Sequence, residues 1–139
     1  MKVLLINFIL ALLLAVGATA QCNSDALAPA CNSKLGAFTF IKNYKIDPAK
    51  AVNNAQEFSY VFSKDTQYFI SVCDGKNDNP KMEITLMDSN KKVLASNVEK
   101  GTYYPGIAYK CTTTGIYYMV FNVSAASEKC AVSALGFKK

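Results

Sequence analysis

The loop D-G-K-N-D-N-P at 74–80 gathers four hard oxygen donors, Asp74, Asn77, Asp78 and Asn79, within six residues, and such donors coordinate Ca²⁺. Asp, Gly, Asn and Pro are also what a turn requires, Lys76 lowers the local negative charge, and the EF-hand spacing is missing. The expectation is no cofactor, with calcium the one metal this loop could take. Tyr103 and Tyr104 precede Pro105, and with Tyr117 or Tyr118 they could form an aromatic platform for a protein or glycan partner. Without Trp, sugar stacking lacks its best residue, so a protein partner is favoured over a glycan. Asp65, Asp74, Glu83, Asp88 and Glu99 show no spacing that singles out a glycosidase pair, and Ser59, Ser63 and Ser71 lack a G-x-S-x-G setting. No catalytic residue is assigned, and the chain reads as a non-enzyme.

Composition removes more functions than these residues add. The 139 residues contain no His, no Trp and no Arg, so Ser-His-Asp and Cys-His catalysis, His-ligated zinc and imidazole proton transfer are excluded. All 15 basic residues are Lys, scattered singly or in pairs, against 10 acidic residues. Nucleic-acid readers use bidentate Arg contacts and a clustered basic face, so nucleic acid is not an expected partner. The Lys-, Asn-, Ile- and Tyr-rich, Arg-free bias is what AT-rich codons produce. With 51% hydrophobic and 18% charged residues the chain is globular rather than disordered.

Lys2, the apolar run 3–16 and the A-T-A triplet at 18–20 have the layout of an export signal, too short to span a bilayer, with cleavage before Gln21. An acyl chain on Cys22 is the alternative, although Gln21 stands where a lipobox wants a small residue. Cys22, Cys31, Cys73, Cys111 and Cys130 all follow that site, in chain destined for an oxidising compartment. The expected use is two structural disulfides and one spare thiol. No CxxC spacing or His partner supports a metal or catalytic role. Cys73 and Cys111 both end strand-like runs and are the first pair expected, a closure worth roughly 4 kcal/mol in the loop-entropy treatment. Cys31 with Cys130, or with Cys22, comes second.

These residues must be positioned by strands. From Gly36 onward apolar residues recur with a period near two, in runs rich in Phe, Tyr, Val and Ile. Phe38 and Phe40, with Lys42 continuing the alternation, mark a first strand, Phe58, Tyr60 and Phe62 a second, Tyr68, Ile70 and Val72 a third, and Met82, Ile84 and Leu86 a fourth, each with one buried face. The turn Asp88, Ser89, Asn90, Lys91 leads back through Val93 and Leu94 as a hairpin. A loop at 101–105 follows, then strands at 106–111, 115–123 and 130–137. Asp47 and Pro48 can start one helical turn in the connector 48–56. The expected architecture is all-β: a signal at 1–20, an irregular arm at 21–35, and at 36–139 a two-sheet antiparallel β-sandwich, jelly-roll-like, with about seven to eight strands.

The segments F-S-Y-V-F (58–62), Y-F-I-S-V (68–72), I-T-L-M-D-S-N-K-K-V-L-A-S (84–96) and G-I-Y-Y-M-V (115–120) together resemble the bacterial pre-peptidase C-terminal (PPC) type of secreted β-sandwich domain. The pattern is also similar to small exported proteins of Bacteroidetes-type bacteria. The resemblance covers about half the chain and implies an accessory module that carries no chemistry; no functional residue transfers with it. Here the domain is expected to follow the signal directly, with no enzyme attached, and its extra cysteines depart from the family pattern. The functional expectation is therefore a secreted, periplasmic or surface binding module without catalysis and without a transmembrane segment after signal cleavage. The alternatives are a structural or assembly component of the cell surface, and a calcium- or carbohydrate-binding module.

Overall fold

A computed structural model describes residues 23–74, 81–123 and 130–139. One helix, α1 (Ser24–Ser33), precedes ten strands: β1 (Thr39–Ile46), β2 (Ala55–Phe62), β3 (Gln67–Cys73), β4 (Glu83–Met87), β5 (Val93–Ser96), β6 (Val98–Glu99), β7 (Thr102–Tyr103), β8 (Gly106–Lys110), β9 (Gly115–Asn122) and β10 (Ala131–Lys138). Two four-stranded sheets, β1-β10-β3-β8 and β2-β9-β4-β5, are antiparallel throughout, and β6-β7 is a small separate hairpin. Successive strands alternate between the sheets except at the β4-β5 hairpin. With β6-β7 set aside, this is the eight-stranded order of a jelly roll, so the expected all-β sandwich is what the chain forms.

Alternation places Ile70, Val72, Ile84, Leu86, Met119, Phe121 and Leu135 between the sheets, all fully buried. Each such side chain contributes roughly 1.5–3 kcal/mol by leaving water. At one end the rings of Tyr68, Phe62 and Tyr117 stack, with Phe62 3.9 Å from Tyr68 and 4.8 Å from Tyr117, linking the two sheets. The Tyr68 hydroxyl stays satisfied there by accepting the Ser63 amide at 2.9 Å.

Several expectations change. The stretch 21–35, read as irregular, contains α1, which packs Leu27, Ala28 and Cys31 with Leu35 and Phe38 onto Phe69, Val132 and Ala134 of the β1-β10-β3-β8 sheet. Pro29 inside the helix and a run of small residues hide its amphipathic face from periodicity. Phe40 is not buried: a bulge between Phe40 and Lys42 shifts the register, and Tyr44 and Ile46 fill the core instead. The loop expected at 101–105 includes β7, joined to β6 by Lys100 and Gly101, both at positive φ as a tight primed turn requires. The β4-β5 hairpin forms as expected, with Asp88 Oδ1 accepting the amides of Asn90 and Lys92 at 2.8 and 3.0 Å. The connector is a 3₁₀ turn, Pro48–Lys50, capped by Asp47 through the Ala49 amide.

The expected Cys73–Cys111 pair does not form. Cys73 is bonded to Cys31 on α1, and Cys111 is a buried thiol. Side-chain parity and register explain this. Cys73 follows Phe69 and Ser71 on the outer face of its sheet, whereas Cys111 continues the inward parity of Ile107 and Tyr109. Cys111 also lies beside Thr66, whose carbonyl accepts its amide, at the far end of β3 from Cys73. Cys31 is therefore not shared with Cys130 or Cys22; Cys130 is itself disulfide-bonded.

Candidate binding surface

The two outer faces of the sandwich differ. The face of β1-β10-β3-β8 is roofed by α1, held by the Cys31–Cys73 bridge and by Asn43 Nδ2, which donates to Asn32 Oδ1 at 2.7 Å. Gly136 on β10 lets the chain before β1 lie close, since a Cβ there would come within 3.1 Å of Leu35, Phe38 and the Thr39 carbonyl.

The face of β2-β9-β4-β5 has no such roof among the described residues. Because Phe62, Tyr117, Met119, Phe121, Ile84 and Leu86 point inward, alternation turns their neighbours out. Register then sets them in rows: Val61 beside Ile116, then Ser59, Tyr118, Met87 and Val93, then Glu57, Val120, Thr85 and Ser96. Val61, Ile116 and Val93 are 56%, 47% and 59% exposed. An apolar band on one face is a different feature from single exposed residues, which every surface has. Lys91, at positive φ in the β4-β5 turn, lies across the band, with Nζ 3.3 Å over the Tyr118 ring and 2.6 Å from Glu57 Oε1. That clasp holds Lys91 to the Tyr118 ring by a cation–π contact and to Glu57 by an ion pair, each worth under about 1 kcal/mol at such exposure.

Beside this face, on the open side between β1 and β2, a cleft of about 350 Å³ is lined by Ile41, Tyr60, Tyr68 and Phe137, with Lys64 and Lys139 at its rim. A smaller polar hollow of about 230 Å³ lies between the β4-β5 turn and the loop Thr112, Thr113, Thr114. Under that loop the Tyr117 hydroxyl donates to the Thr113 carbonyl at 2.7 Å and lies 3.5 Å from Cys111 Sγ. Burial first, then the Cys111 contact, hold the Tyr117 phenol above its ordinary range. A thiol packed this way is a core element and not a nucleophile at a cleft.

The sequence-predicted residues do not assemble into one site. Asp74 is buried at the end of β3, and Asn77, Asp78 and Asn79 lie outside the described residues. Among the described residues no group of three His, Cys, Asp or Glu side chains is placed to hold a metal. Tyr103 and Tyr104 sit on and just after β7, with Tyr104 47% exposed, while Tyr117 is in the core and cannot share their platform. What sequence reasoning missed is the apolar band. Its signal is present: Ile116, Tyr118 and Val120 make β9 apolar on both parities rather than alternating, and Val61 breaks the alternation at the end of β2. No helix among the described residues is long and apolar enough to cross a membrane. No protein-family model matches the chain, and no curated protein matches it.

Proposed function

We propose that the protein is an exported, non-catalytic binding module of the PPC-like accessory kind, and that it holds a protein partner on the outer face of the β2-β9-β4-β5 sheet. The observation that carries this reading is the asymmetry of the sandwich: one sheet is roofed by a disulfide-tethered helix, the other keeps Val61, Ile116 and Val93 half-exposed. Desolvating such a band around a clasped Tyr is the way protein interfaces gain affinity. Export is supported by the apolar segment 3–16 and by the Cys31–Cys73 disulfide. A chain without His and without a recognisable nucleophile supports binding over turnover.

Photo-crosslinking in the native host tests the face directly. A benzophenone residue at Ile116 is expected to capture a partner, whereas the same residue at Ala108, exposed on the opposite sheet, is not. Capture at both positions, or at Ala108 alone, overturns the assignment of this face.

A further inference from the structure

The four outermost strands treat their free edges differently. β1 carries Lys42, Lys45 and a bulge; β5 has four residues, a bulge in its pairing with β4, and Lys91 and Lys92 just before it; β8 has five residues, starts after Pro105 and ends in Lys110. Bulges, Lys, Pro and shortness all discourage an edge from recruiting another strand. β2 has none of them. Its eight residues, AQEFSYVF, pair with β9 in unbroken register from Ala55↔Asn122 to Phe62↔Gly115.

Hydrogen-bond parity shows what this edge presents. The Val123 amide donates to the Asn54 carbonyl at 2.8 Å, so Asn54 faces β9, while Ala55 turns the other way and exchanges both backbone bonds with Val52. The positive φ values of Asn53 and Asn54 make that a tight two-residue turn, which closes the edge at Ala55 only. Alternation then sends the N–H and C=O groups of Glu57, Ser59 and Val61 to the open side, where no described strand pairs with them.

We propose that β2 is a self-association edge, on which a second copy of this chain pairs β2 with β2, antiparallel, about a twofold axis at Ser59. The sequence around Ser59 selects a second copy. In this register Ser59 meets Ser59, Glu57 meets Val61, and the six open backbone groups of each strand satisfy one another with no charge facing its like. Glu57 comes to the seam already paired with Lys91 at 2.6 Å. On the inner side Tyr60 of each copy falls opposite Phe58 of the other, an aromatic cross-strand pair, and the cleft at Ile41, Tyr60 and Phe137 leaves room for the rings. The two sheets of four become one continuous sheet, and the pairing does not rest on the binding face proposed above.

Cysteine scanning reads this register. A directly opposed hydrogen-bonded pair has Cα atoms about 5.5 Å apart, within disulfide reach, whereas the two copies of residue 61 would be separated by roughly 13 Å. Ser59→Cys is expected to oxidise to a dimer bridged 59 to 59, and Val61→Cys roughly tenfold less. Both positions are exposed, so neither change threatens the fold. In sedimentation velocity the unmodified protein is expected to dimerise reversibly, and Ser59→Lys to weaken this about tenfold by setting two like charges opposite each other at the axis. A chain that stays monomeric up to about 1 mM, or equal cross-linking at 59 and 61, overturns the proposal.

Discussion

Asn97 stands beside Ile84 as a substitute strand: its Oδ1 accepts the Ile84 amide at 2.6 Å, and its own amide donates to the Ile84 carbonyl at 3.2 Å. The same side chain, 2% exposed, donates through Nδ2 to the carbonyls of Met82 and Tyr104, both at 2.9 Å. One buried amide thus satisfies three backbone groups at the point where β5 gives way to the β6-β7 hairpin, and it sets where Tyr103 and Tyr104 are displayed.

Removing that amide leaves the Ile84 amide and the Met82 carbonyl without these partners in the interior, and the Tyr104 carbonyl without its partner at a part-buried site. Each of the two buried groups costs about 1–3 kcal/mol, so Asn97→Ala is expected to lower stability by roughly 2–6 kcal/mol. Urea unfolding checks this as a lower midpoint at unchanged slope. A loss under about 1 kcal/mol would show that water replaces the side chain and that the hairpin is not held by it.

Period-two alternation made most of the sandwich legible, because a strand with one core face writes that face into every second residue, as at Tyr68, Ile70 and Val72. It could not show features set by contacts far apart in sequence. Helix α1 gains its stability from docking on Val132 and Ala134 and from the bridge to Cys73, none of which its own residues reveal. The bulge at Phe40 and the facing of Cys73 and Cys111 depend on strand register, and the first-choice disulfide failed for that reason. The apolar outer band was written chiefly in β9, but a strand apolar on both parities reads equally as one buried on both faces.

The Cys31–Cys73 bridge closes a separation of 42 residues, which in the loop-entropy treatment is worth about 4 kcal/mol. Replacing both cysteines by Ser is expected to remove most of that. Hydrogen exchange should then speed up in residues 24–33 well before it does in β4 and β9, because α1 is held to the sheet by this bridge, the Asn43–Asn32 bond and a small apolar cluster. Uniform loss of protection across the chain would mean that α1 and the sandwich unfold as one unit.

Tyr44 lies in the core against Phe58, with its hydroxyl lacking a hydrogen-bond partner among the described residues. Burial, aided by Tyr60, raises its pKa from 10.0 to about 12. The neutral form is the folded form, so its contribution is complete below pH 10.0 and drains away as pH rises towards about 12, where the unfolded chain ionises first. Tyr44→Phe should flatten the stability curve in that window. At neutral pH it should match or exceed the original stability, by up to about 1–2 kcal/mol, since it deletes an unpaired buried hydroxyl. Thermal unfolding at neutral and alkaline pH measures both, and a variant that is less stable at neutral pH would show that the hydroxyl is satisfied.

Ile116 and Phe121 stand on the same strand with opposite parity, and their substitutions should separate function from folding. Phe121 is fully buried, and Phe121→Ala is expected to cost about 3–5 kcal/mol through lost burial and the cavity left behind. Ile116 is 47% exposed beside Val61, and Ile116→Lys is expected to stay within about 0.5–1 kcal/mol of the original. If Ile116→Lys instead unfolds the protein, the band belongs to the packing of the sandwich and not to a partner. If stability holds while cross-linking through Val93 on the same face disappears, stability does not require the apolar band, and partner binding accounts for it.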